Sequence, residues 1–204
     1  MSHLDETDVV LAAVRAHLRM LKLPTVAREC DTMARQALSD GQHPLGFLRC
    51  LLEAEMASRA ERAAERRLRA ARLPARKTLS QFDWRRAHGL ERARIEDLAR
   101  CSWIPTARNV VLVGPVGTGK THVAIALGIE AIKHGHNVLF FRASDLVRTL
   151  TEARDARILS RLQDRLRRAS LLLLDELGFV PFEKAGGELL FDVIFPRFGY
   201  QTGG

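Results

Sequence analysis

The 204-residue chain is expected to form a parallel α/β sheet flanked by helices, preceded by an all-helical N-terminal region. Three observations point to this class. Residues 1–72 carry apolar positions at helical period and no strand-like run. Further on, apolar runs at Val110-Val111-Leu112-Val113, Val138-Leu139-Phe140-Phe141 and Leu171-Leu172-Leu173-Leu174 alternate with helix-patterned stretches. Between the first run and the helix after it, Gly114-Pro115-Val116-Gly117-Thr118-Gly119-Lys120-Thr121 fits G-x-x-x-x-G-K-[ST] at every fixed position. Strand, glycine loop and helix in that order are the parts of a phosphate-binding-loop NTPase.

Taken in order, the first helix carries Val10, Val14, Leu18 and Leu21 on one stripe. Leu23-Pro24-Thr25 breaks it, and Pro24 opens a second helix with Val26, Cys30, Met33, Ala34 and Ala37 on one face. Asp40-Gly41-Gln42-His43-Pro44 is a turn, and a long third helix spans residues 45–72. Its second half leads into a basic block of Arg59, Arg62, Arg66, Arg67, Arg69, Arg72, Arg76 and Lys77 against Glu61 and Glu65, which holds most of the net charge of +8. Pairing at i,i+4 gives that block little relief: Glu61 meets Glu65, and only Glu65 reaches an arginine, Arg69. A phosphate backbone such as that of DNA would neutralise the excess; a solvated or protein-facing stripe is the alternative. Leu73-Pro74-Ala75 ends the helix. Residues 78–89 read as a linker in which Phe82-Asp83-Trp84 is a hydrophobic anchor for the next domain, with base stacking as the other use. A short helix over residues 91–101 leads through Pro105 into the first strand. Domain limits follow: 1–76 helical, 77–104 linker and short helix, 105–204 nucleotide-binding core.

Within the core, successive backbone N–H groups of the loop point inward at a helix N-terminus, where aligned dipoles favour an anion such as a β-phosphate. Lys120 adds a positive charge for the β- and γ-phosphates of ATP, and the Thr121 hydroxyl suits Mg²⁺. After Gly135 the second strand follows, then a helix capped by Ser144 with Leu146, Val147 and Leu150 inside. A basic helix over residues 158–168 precedes the leucine strand, which ends in Asp175-Glu176. In doubly wound sheets that strand end faces the ligand. Asp175 would hold the water shell of Mg²⁺ opposite Thr121, and Glu176 would orient and polarise the attacking water. Lys120 and Glu176 are thus the catalytic pair. No Asn-Lys-x-Asp guanine reader exists: Asn109 and Asn137 are each followed by valine. ATP hydrolysis coupled to a mechanical or assembly task fits better than GTP hydrolysis or small-molecule phosphorylation.

The remaining composition excludes more than it adds. Hydrophobic residues are 47% and charged residues 27%, an ordinary globular balance. No apolar run approaches the roughly 20 residues of a membrane span, and the acidic N-terminus is unlike a signal peptide; a cytoplasmic chain is expected. Cys30, Cys50 and Cys101 are odd in number and widely spaced, so reduced thiols are expected rather than disulfides or zinc.

Gly117-Thr118-Gly119-Lys120-Thr121-His122-Val123-Ala124, Gly135-x-x-Val138, Ser144-Asp145-Leu146 and Leu174-Asp175-Glu176-Leu177-Gly178-Phe179-Val180-Pro181 together resemble the IstB family, the ATP-binding transposition helpers of bacterial insertion sequences, related to the helicase loader DnaC. The resemblance runs to about Ile194. It implies an AAA+ ATPase that oligomerises on DNA and works with a transposase; the DnaC relationship offers a replicative helicase as the alternative partner. By resemblance the nucleotide-binding set, Gly114, Pro115, Val116, Gly117, Thr118, Gly119, Lys120 and Thr121, extends to His122. It also implies a further strand between the Asp-Glu strand and the loop strand, then an arginine finger and a lid. The tail after Ile194, with Pro196, Gly199, Gly203 and Gly204, is a poor candidate for a central strand. A truncation or frame shift would explain it. The expectation is then unpaired strands and impaired hydrolysis.

Overall fold

The computed structural model describes residues 3–87, 89–178 and 184–195. Phe179, Val180 and Pro181 of the Asp-Glu segment, and the tail from Pro196 to Gly204, lie outside them. The chain divides into two compact units, Met1–Ala63 and Ala64–Gly204.

The first unit comprises α1 (His3–Met20), α2 (Pro24–Ser39) and the start of α3 (Pro44–Ala71). Val26, Cys30 and Leu51 are buried together, with Leu11, Leu18, Leu23, Met33 and Phe47 packed around them. Pro24 stands in the first turn of α2, as its missing N–H allows. The preceding Leu23 cannot cap the helix, and the structure supplies a substitute from α3. Glu55 is buried, and its Oε2 accepts from Thr25 N at 2.7 Å and Val26 N at 3.2 Å. Its other oxygen accepts from Arg59 Nε at 2.9 Å. A carboxylate at a helix N-terminus satisfies orphan donors and the dipole together.

The second unit is a three-layer α/β arrangement. β1 (Val138–Arg142) and β2 (Leu171–Asp175) run parallel, with Val138 opposite Leu171 and Arg142 opposite Asp175. Strand alternation divides their side chains between two cores. Val138, Phe140, Leu171 and Leu173 meet α5 (Lys120–Lys133), while Leu139, Phe141, Leu172 and Leu174 meet the other layer. That layer is α6 (Ala143–Asp155), α7 (Leu159–Arg167) and α8 (Lys184–Ile194). α5 is apolar nearly all round, as a helix covered on both sides must be. Gly128 lets it approach the sheet: a Cβ there would lie 2.7 Å from Leu173 Cδ1. The C-terminal turns of α3 add Ala64, Leu68 and Ala71 to the cluster that holds Ile132 and Cys101. The segment before α4 (Arg92–Leu98) makes two short 3₁₀ turns, Leu79–Gln81 and Trp84–Arg86. Phe82 and Ala87 there join Ile95, Val123 and Leu127 in a further cluster, so the aromatic anchor docks on α5 and on α4.

Two expectations are corrected. Residues 110–113 are not a buried strand: they have no strand assignment, and Val111 and Val113 are 77% and 88% exposed. An apolar run becomes a strand only where a neighbour takes its N–H and C=O groups. β2 pairs with β1 on one edge, and among the described residues no strand on the other edge passes the ladder on. Ser144 does not cap α6 either. The helix already begins at Ala143, its N-cap is Arg142, and Ser144 sits inside the first turn.

Candidate nucleotide-binding site

The loop is built by backbone angles that only glycine adopts freely. Gly117 and Gly119 have φ of 82° and 88°, and Gly119 is the N-cap of α5. The turn closes through Thr118 Oγ1, which donates to Pro115 O at 2.9 Å. Lys120 Nζ reaches back over the loop and donates to Gly114 O at 2.8 Å and Pro115 O at 2.6 Å. Its ammonium is therefore held at the loop, where an arriving phosphate would replace carbonyl oxygens as its partner.

Thr121, one residue further, faces the sheet. Its Oγ1 donates to Asp175 Oδ1 at 3.1 Å and Oδ2 at 3.0 Å. A hydroxyl from the first turn of α5 and a carboxylate from the end of β2 thus converge although 54 residues separate them. Both are hard oxygen donors of the kind that magnesium prefers. Glu176 follows with φ of 61°, a left-handed conformation unusual outside glycine. Its N–H donates to Asp175 Oδ1 at 3.0 Å, and its carboxylate lies 3.9 Å from Arg142 Nε at the end of β1.

Beside the loop lies an open cleft of about 780 Å³, lined among others by Leu90, Arg94, Trp103, Leu112, Lys120 and Val123. That volume is within the usual range for small-ligand sites. Both aliphatic and charged groups face it, as a base and its phosphates would require.

The family comparison decides the class. Residues 16–202 match the family described as IstB-like ATP binding protein. The chain belongs to the IstB-like ATP-binding protein family. The IstB-like match passes Ile194, where the resemblance read from the sequence stops, and takes in most of the tail. A relative from Pseudomonas aeruginosa, provisionally assigned as the ATP-binding protein of insertion sequence IS21, is 36% identical over 181 residues, covering 89% of this chain and 68% of the relative. One from Sinorhizobium fredii, a provisional insertion-sequence ATP-binding protein, is 37% identical over 182 residues, 89% and 61% of the two chains. One from Geobacillus stearothermophilus, provisionally assigned to IS5376, is 32% identical over 188 residues, 91% and 74%. This chain therefore spans between about three fifths and three quarters of the length of these IstB-like relatives.

Of the residues expected from sequence, Gly114 through Gly119 form one loop and Lys120 and Thr121 open α5 behind it, with Asp175 brought to Thr121 and Glu176 beside it. Pro115 contributes its carbonyl to Lys120, whereas Val116 is 81% exposed. His122 turns away from the loop mouth: its Nε2 is 2.9 Å from Thr78 O, and its ring meets Phe82 edge-on at 5.1 Å. In the basic block, pairing is more extensive than i,i+4 spacing inside the block suggests. Glu55, just ahead of it, binds Arg59 and lies 4.0 Å from Arg62, and Glu65 takes both Arg69 at 3.3 Å and Arg76 at 3.0 Å. Arg66, Arg67, Arg72 and Lys77 have no ion pair among the described residues. Sequence reasoning missed Arg142, whose only signal is its place at the end of a strand parallel to the Asp-Glu strand.

Proposed function

We propose that this chain binds ATP with Mg²⁺ at residues 114–121, hydrolyses it with Glu176, and serves insertion-sequence transposition on DNA with a cognate transposase. The observation that carries the nucleotide reading is the Thr121–Asp175 hydrogen bond, which sets two hard donors side by side at the mouth of a glycine loop. The loop N–H groups would hold the phosphates and Lys120 would exchange its carbonyl partners for phosphate oxygens. The base fits the adjoining cleft. Magnesium, held by Thr121 and through Asp175, would neutralise charge on the phosphates. Glu176 orients the attacking water and accepts its proton, and for that the carboxylate must leave the neighbourhood of Arg142.

The transposition role rests on the names of the relatives, each tied to an insertion sequence. Arg66, Arg67, Arg72 and Lys77, without an ion pair among the described residues, suit a phosphate backbone without sequence preference. A homo-oligomer and a cytoplasmic setting belong to the same reading; among the described residues no helix is long and apolar enough to cross a membrane. Capture of a replicative helicase in place of a transposase would assign the chain to helicase loading.

A second reading, nucleotide binding without turnover, is favoured by residues 110–113 at the entrance to the loop, which are irregular, with Val111 and Val113 exposed. Turnover by the purified chain separates the two. The hydrolytic reading expects steady phosphate release that Glu176→Gln abolishes while ATP binding persists. No release from the parent chain, or equal release from the variant, would remove Glu176 from its role.

A further inference from the structure

The segment from Thr78 to Trp84 does more than join two regions of chain. Phe82 is 8% exposed, and its ring lies where a side chain on Gly119 would project: a Cβ there would be 2.6 Å from Phe82 Cε2 and 3.1 Å from Cζ. The last glycine of the phosphate loop is thus covered by an aromatic ring from outside the loop. A second tie lies one turn along, where His122 Nε2 meets Thr78 O at 2.9 Å and the His122 ring meets Phe82 edge-on. Between these two ties stand Lys120 and Thr121, the residues that present the ammonium and the hydroxyl.

The segment is itself locked. Thr78 N donates to Gln81 Oε1 at 3.0 Å, and Thr78 Oγ1 shares a hydrogen with Ser80 Oγ at 2.8 Å. Asp83 Oδ1 accepts from Arg85 N at 3.1 Å. The Trp84 ring stands edge-on to Phe82 at 4.8 Å, and the Arg92 guanidinium lies over the Trp84 ring, 5.5 Å from its centroid. Such a short, internally bonded segment loses little freedom when it holds something else in place.

We propose that residues 78–84 form a strap that fixes the phosphate loop, with Phe82 and His122 as positioning residues for the nucleotide phosphates. The inference rests on the ATP-binding reading and assigns the strap to the same site. Thr118 and Lys120 tie the Gly114–Pro115 side of the loop, but its last residue, the left-handed Gly119, has no side chain to brace it. The ring supplies the brace, so the inward N–H groups are set before the anion arrives. Phe82 touches glycine rather than nucleotide, and His122 gives its ring nitrogen to the strap. Both therefore act through the loop.

The test is equilibrium binding of a fluorescent ATP analogue with magnesium to the full chain and to Phe82→Ala, Phe82→Leu and His122→Ala. Inorganic tripolyphosphate serves as competitor. Phe82→Ala and His122→Ala are expected to weaken binding by roughly tenfold or more, and Phe82→Leu by less because it still fills the space. The competing strength of tripolyphosphate should fall in parallel, since the strap acts on the phosphate loop and not on the base. Unchanged helical circular dichroism shows that the fold persists; if Phe82→Ala fails to fold, His122→Ala and Phe82→Leu carry the test. Binding by His122→Ala and by the folded Phe82 variants within about twofold of the parent would overturn the strap. A parent chain that binds no analogue would overturn the ATP-binding reading itself, a different outcome from a parent that binds and variants that match it.

Discussion

Thr121 and Asp175 each make a bond that the other makes necessary. A carboxylate at the end of a half-buried strand is best placed beside a donor, and the Thr121 hydroxyl donates to both of its oxygens. Gly119 is under two constraints at once, its φ of 88° and the Phe82 ring where a side chain would go. Gly119→Ala is expected to lose about 1–2 kcal/mol of stability from the left-handed backbone alone, with a further cost from the ring; thermal melts of the variant in the parent and Phe82→Ala backgrounds separate the two. Only the steric part should be relieved by the smaller residue at 82. In the helical unit, burial alone would raise the Glu55 carboxyl, but the Arg59 guanidinium and the Val26 and Thr25 N–H groups outweigh it and hold the group below its ordinary value. A depressed folded value means that its contribution is complete above the unfolded value of about 4.3 and is lost as pH falls through the folded one. The parent melting temperature should therefore drop on acidification below about pH 4.3 more than that of Glu55→Gln. Equal acid sensitivity in the two chains would remove Glu55 from that role.

At the scale of elements, α5 is the piece that joins loop to sheet, and Gly128 is what allows the close approach. Gly128→Ala sets a gain of about 1 kcal/mol in helix propensity against about 1–3 kcal/mol for overpacking against Leu173 Cδ1, so a lowered denaturant midpoint is expected; a raised midpoint would mean that the leucine moves freely. The loop, its helix and the Asp-Glu strand were legible in sequence because each depends on local pattern: fixed glycine spacing, helical period, a run of leucines closed by two acids. The capping of α2 was not legible, because Glu55 lies 30 residues from Thr25 and nothing local marks it as the cap. Residues 110–113 were misread for the same reason. Their composition is that of a strand, but a strand is a property of a ladder, and the ladder depends on a neighbour. His122 illustrates a further limit, since its place in the motif gave no sign that its ring would turn to Thr78.

Over the whole molecule, the net charge of +8 is concentrated in the block that runs from Arg59 to Lys77. Within that block Arg59, Arg62, Arg69 and Arg76 are tied to Glu55 or Glu65, and among the described residues Arg66, Arg67, Arg72 and Lys77 have no ion pair, which makes them its candidates for phosphate binding. Binding of duplex DNA should weaken steeply with salt and ignore sequence. Replacing those four by alanine should flatten the logarithmic salt slope by roughly one unit for each phosphate no longer neutralised. A slope unchanged by the fourfold variant would move DNA binding elsewhere on the chain. The family membership fixes the class of the molecule, while the choice among its activities rests on one site. Calorimetric titration of MgATP into the parent chain and Lys120→Ala tests that site most directly. Saturable binding by the parent, weakened about thirtyfold or more when the lysine charge is removed, is the predicted result. Equal affinity in the two chains, or no binding by the parent, would contradict it.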